Sequence, residues 1–144
     1  MAKLDEAKTL IHSYECKYRN PKLIPFLISD KYDLFPTDSE SVNCWPKCYP
    51  YVDRAGVYLV MDAEDNILYI GKSSVAVGRR LGRYFGYSAD GKSCLIKDEN
   101  WTKPPKYIVT VAVPIDSPFE CASLEEFLLK EIKTSDNYNL SKRS

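Results

Sequence analysis

Two runs rich in β-branched and aromatic residues, Gly56-Val57-Tyr58-Leu59-Val60-Met61 and Ile67-Leu68-Tyr69-Ile70-Gly71, flank a mostly polar segment, Asp62-Ala63-Glu64-Asp65-Asn66. Runs of this length bounded by a turn segment fold as a β-hairpin. The hairpin constrains the chain strongly, because it fixes which side chains share a face. Directly opposed residues of an antiparallel pair point the same way, and a slip of one residue inverts the relation. For Tyr58 and Tyr69 to serve one site, the numbers of paired residues must sum to 127 or another odd value.

The flanking segments supply the rest of a fold. Ser73 or Ser74 is placed to cap a helix in which Val77, Leu81 and Phe85 make an i, i+4, i+8 stripe that ends at Gly86. A polar loop with Asp90-Gly91 then leads to Pro104-Pro105, and residues 107–113 read as a third strand. Ser117-Pro118-Phe119-Glu120 is a capping box that opens a helix predicted to reach about Lys133. Upstream, Leu4, Ala7, Leu10, Ile11 and Tyr14 predict an amphipathic helix from about Leu4 to Cys16, which Pro21 and Pro25 keep from continuing. Residues 17–54 carry five of the nine prolines and no clear periodicity. Leu23, Ile24, Phe26, Leu27, Trp45 and Tyr49 make this stretch too apolar for a disordered linker, so it reads as an irregular, packed extension. The expectation is an α/β fold: a small three-stranded antiparallel sheet flanked by helices over residues 55–144, with residues 1–54 an N-terminal helical extension.

At 144 residues the chain is one domain's worth. No apolar run reaches the roughly 18 residues of a membrane span, and the first residues lack the apolar core of a secretory signal. Five scattered cysteines then read as reduced thiols of a cytoplasmic protein. Twenty basic residues balance twenty acidic ones, whereas dedicated nucleic-acid binders are usually basic. The distribution is uneven: between Lys72 and Lys106, eight basic residues stand against three acidic ones. A local basic face suffices to hold phosphates.

The order Gly56-Val57-Tyr58, Tyr69-Ile70-Gly71-Lys72, Arg80-Leu81 with Tyr84-Phe85, Glu125 and Tyr138-Asn139 resembles the GIY-YIG nucleases. Residues 120–132 are also similar to a helix of that family's excision-repair incision subunit. The resemblance implies hydrolysis of a phosphodiester with one divalent ion, Mg2+ or Mn2+. It places Tyr58 and Tyr69 beside the attacking water, one of them acting or assisting as general base. Arg80 would neutralise the phosphate, Glu125 would ligate the metal, and Asn139 would steady the site by hydrogen bonding. Lys72, Tyr84, Arg79 and Arg83 would support substrate binding. One extra residue between Tyr69 and Arg80, relative to the commoner spacing, leaves Arg79 as a substitute for Arg80.

The residue types suit that chemistry. An arginine fork bonds two phosphate oxygens and stays charged. A phenol with pKa near 10 is a poor base unless nearby positive charge lowers it. Each residue also has a plain structural reading, since strand tyrosines usually pack and helix arginines are usually solvated. Glu125 is different, because it falls within the apolar face made by Cys121, Leu124, Leu128, Leu129 and Ile132. An unpaired carboxylate there would cost several kcal/mol, so it should be protonated, paired or metal-bound. Glu126 points away beside Lys130 and Lys133. A rival metal set, Cys44, Cys48, Cys94 and Cys121, lacks zinc-finger spacing.

Two functions follow. One is a metal-dependent endonuclease acting on DNA, which a protein partner or a homodimer could position on its substrate. The other is a non-catalytic nucleic-acid-binding or protein-interaction module that retains the fold.

Overall fold

The computed structural model describes residues 1–37 and 43–137. Its centre is the hairpin. Strand β3 (Gly56–Met61) pairs antiparallel with β4 (Ile67–Ser73), with Tyr58 opposite Gly71 and Val60 opposite Tyr69. Both pairs sum to 129, an odd register slipped by two from the direct Tyr58–Tyr69 pairing, so the two tyrosines share a face. A bulge next to Met61 shifts the pairing to Met61 opposite Ile67. On its other side β3 pairs with β7 (Tyr107–Ala112), the third strand.

The outer edge of β7 is where the extension contributes. Two short strands, β1 (Leu27–Ile28) and β2 (Tyr32–Asp33), both pair antiparallel with it, so the three-stranded core becomes a five-stranded sheet. The opposite edge is β4. It is capped by the segment after the last helix: Asp136 N–H donates to the Leu68 carbonyl at 2.9 Å. Asn137 then bonds both backbone groups of Ile70, accepting from its N–H at 2.9 Å and donating to its carbonyl at 2.7 Å.

One sheet face is covered by α1 (Leu4–Tyr18) and α3 (Glu120–Glu131). Leu4, Ala7 and Ile11 of α1, with Phe26, join Val57, Leu59, Val109, Val111, Leu124 and Leu128 in a single core. The extension therefore shares the core of the hairpin. Arg19 locks the two helices together by a fork onto Glu120 at 2.7 and 2.9 Å. Ser117 donates its hydroxyl to the Glu120 carboxylate at 2.6 Å, so α3 starts at Glu120 and the serine caps no backbone N–H with its side chain.

The other face holds Tyr58, Val60, Tyr69 and Ile108 under α2 (Val77–Leu81) and a hairpin of β5 (Phe85–Tyr87) and β6 (Cys94–Ile96). Here the structure corrects the predicted helix. Val77, Leu81 and Phe85 are all buried together, but the helix stops at Leu81 and Phe85 begins β5. The polar loop also turns at Gly91, where φ is +74°, and returns as β6. Strand pairing satisfies the backbone that a longer helix would have satisfied.

Candidate active site

Because β4 is the sheet's edge strand, side chains from both faces converge around it. Tyr69 and Gly71 lie on the Tyr58 face, whereas Ile70 and Lys72 lie on the face covered by α3. A cavity of about 510 Å3 wraps this edge, and Tyr69, Gly71, Lys72, Arg80, Glu125 and Asn137 are among its lining residues. Arg80 reaches it from α2 and Glu125 from α3. The turn into α2 is held by Ser73, whose hydroxyl accepts the N–H groups of Val75 and Ala76 at 3.2 and 3.0 Å. This positions Arg80 one helical turn further on.

The tyrosines form a packed group beneath the cavity. The Tyr58 and Tyr69 rings stack with centroids 6.1 Å apart, and Tyr84 lies 5.5 Å from Tyr69. The Tyr84 hydroxyl donates to the Tyr69 hydroxyl at 3.2 Å. Tyr58 is buried directly under Gly71, where any Cβ would run into its ring and hydroxyl. Among the described residues the Tyr58 hydroxyl and Arg80 Nε are both buried with no hydrogen bond of good geometry, although Arg80 and Tyr84 lie near enough to the Tyr58 hydroxyl to act on its charge. Arg79 and Arg83 are exposed and do not line the cavity. Asn139 lies outside the described residues. Asn137, which the sequence reading passed over, lines the cavity and clamps Ile70 there. The only signal for it was a polar residue in the segment after α3.

A family model for the GIY-YIG catalytic domain matches residues 54–139, more than half of the chain. The chain belongs to the GIY-YIG family. Searches of curated proteins and of solved structures returned no match.

The electrostatics of this GIY-YIG site divide by face. Burial pushes the Glu125 carboxyl above its ordinary range, against the pull of Lys72 and Arg80, and Glu126 adds to the rise. Among the described residues no cation stands within ion-pair distance of Glu125. It is a half-buried carboxylate facing a cavity, which suits a hard divalent cation. Among the described residues no group of three or more His, Cys, Asp or Glu side chains could hold a metal, which leaves no cysteine zinc site there. An ion at Glu125 would take one protein ligand and fill its other positions with water and phosphate oxygens, as magnesium commonly does. On the opposite face, burial raises the Tyr58 hydroxyl far above its ordinary pKa, with Tyr84 and Tyr69 adding and Arg80 opposing. Tyr69 is also raised, by burial first and then by its bond with Tyr84, while Arg80 again opposes. Desolvation wins over the arginine at both phenols. The two tyrosines are protonated donors at neutral pH unless further positive charge arrives.

Proposed function

We propose that this GIY-YIG domain is a divalent-metal-dependent endonuclease that hydrolyses phosphodiester bonds in DNA. The observation that carries the reading is the unpaired, half-buried Glu125 facing Lys72, Arg80 and Tyr69 across one cavity. Glu125 would hold a single Mg2+ or Mn2+, which when bound supplies Lewis-acid stabilisation to phosphate oxygens. Arg80 projects its guanidinium toward the phosphate, and Lys72 adds positive charge from the α3 side. Tyr69 lies at the cavity wall, where its hydroxyl accepts from Tyr84 and keeps its own proton for water or a phosphate oxygen. Tyr58, buried under Gly71, holds Tyr69 in place by stacking. Asn137 fixes the edge on which Lys72 is displayed. The basic excess between Lys72 and Lys106 would hold DNA locally, with a protein partner or a second copy extending the contact.

The raised phenols favour the other reading, a nucleic-acid-binding module that cuts nothing. Magnesium-dependent nicking of supercoiled plasmid separates the two. The nuclease nicks, and a chelator abolishes the nicking; a binding module retards the plasmid without converting it.

A further inference from the structure

A second cavity of about 140 Å3 adjoins the first, and Ser74 lines both. Its wall includes Val75, Ile115 and Pro118, with Arg54 and Asp53 among its polar residues. Val75 is 62% exposed and Ile115 76% exposed, and Phe119, next in sequence to Pro118, is 71% exposed. Apolar side chains gathered at a concave site are commoner at binding surfaces than scattered singly. Arg54 is held in place: its Nη2 donates to the Val113 carbonyl at 2.8 Å, and its own carbonyl accepts the Val77 N–H at 2.9 Å. Among the described residues it makes no ion pair, so no carboxylate neutralises its charge there.

We infer that this cavity receives a nucleobase adjacent to the scissile phosphate, a reading that rests on the larger cavity taking a phosphodiester. The polar residues select a base over a second phosphate. Asp53 is an acceptor that would repel a phosphate but can take a hydrogen bond from an exocyclic amino group. Arg54 supplies donors suited to a base's O6 and N7 acceptors. Val75, Ile115 and Pro118 supply apolar surface for the base's faces. A strand whose phosphate lies against Arg80 and Glu125 continues past Ser74 into this space. A base can enter only if it leaves its stack, so the substrate is DNA that is kinked, branched or single-stranded at the cut.

The test uses the full chain, oligonucleotides whose cut position has been mapped, and single abasic substitutions placed along them. One abasic position beside the cut is expected to lower kcat/KM on the order of tenfold, the scale of losing about 50 Å2 of buried apolar contact. The double variant Val75→Ser/Ile115→Ser changes two exposed side chains, so its Tm stays at the wild-type value. It is expected to cleave abasic and intact oligonucleotides equally. Cleavage indifferent to every abasic position, or a double variant as sensitive as wild type, overturns the pocket and leaves the nuclease intact. The converse is read with oligonucleotides carrying 2-aminopurine, bound to Glu125→Gln so that cleavage plays no part. A position-specific rise in fluorescence, as the probe leaves its stack, that Val75→Ser/Ile115→Ser abolishes supports the pocket even if wild type nicks nothing, in which case hydrolysis alone is refuted. No position-specific rise overturns the pocket.

Discussion

Glu125 and Glu126 are neighbours on α3 with opposite fates: the first faces the cavity half-buried, the second is exposed. Glu125→Gln keeps the shape and removes the charge a hard cation needs, so nicking should fall by on the order of a hundredfold or more. Its Tm should hold or rise, because burial had raised that carboxyl and a disfavoured charge is gone. Glu126→Gln should leave both quantities near wild type. Nicking rate and Tm measured on the two variants decide the point, and equal nicking by wild type and Glu125→Gln would end the mechanism. Arginines 79 and 80 make a similar pair. Arg80 lines the cavity, so Arg80→Ala should lower kcat roughly a hundredfold while Kd for DNA moves only a few-fold. Arg79→Ala, on the exposed side, should do less to kcat; reversed results would give Arg79 the role assigned to Arg80. Gly71→Ala should destabilise by about 1–3 kcal/mol, because the new methyl occupies space held by Tyr58. In a Tyr58→Ala background the same substitution should cost less than in wild type, a non-additivity that a thermal-melt cycle reads directly.

The Arg19–Glu120 fork joins the end of α1 to the start of α3. Burial opposes the Glu120 charge, but hydrogen bonds from Arg19 and Ser117 outweigh it and hold this carboxyl below its usual range. A depressed folded pKa contributes stability above the unfolded value, about 4.3, and loses it as pH falls through the folded value. Thermal melts from pH 7 down to 3 should show that loss in wild type and less of it in Glu120→Gln, which should be about 3 kcal/mol less stable at pH 7. The elements joined by this fork were legible in sequence because each carries an unbroken period: the α1 stripe through Leu4, Ala7 and Ile11, and the α3 face through Cys121, Leu124 and Leu128. The β3–β4 hairpin and β7 were legible as continuous β-branched and aromatic runs, buried on both faces and bounded by turn residues. Strands β1 and β2 were not, since two residues cannot show a period and their pairing depends on the distant edge of β7. The stripe through Phe85 named the buried residues correctly and the element wrongly, because burial alone does not distinguish a helical turn from a strand entry. At the site, the motif residues marked Tyr69, Lys72, Arg80 and Glu125, which the fold brings to one cavity. Asn137 and the Ser74 junction depend on where loops land, and no local pattern records that.

Across the whole molecule, α1 and Phe26 belong to the same core as the hairpin, and β1 and β2 cover an edge of β7. Removing residues 1–33 should therefore expose apolar core and an open strand edge instead of freeing a compact nuclease domain. The truncated chain is expected to bind a hydrophobic dye and lose its cooperative melt; a sharp melt near the wild-type Tm would show that the extension is dispensable. The cavity at β4 has a further consequence, in time. Tyr58, Tyr69 and Arg80 leave the ribosome first, whereas Glu125 and the clamp at Asn137 follow much later in the chain. At roughly 5–20 residues per second, several seconds separate the first tyrosine from the clamp. During that interval the nascent polypeptide carries the phenols and the arginine but neither the α3 carboxylate nor the bonds that hold the β4 edge. Vectorial synthesis therefore closes the pocket only when its last wall arrives.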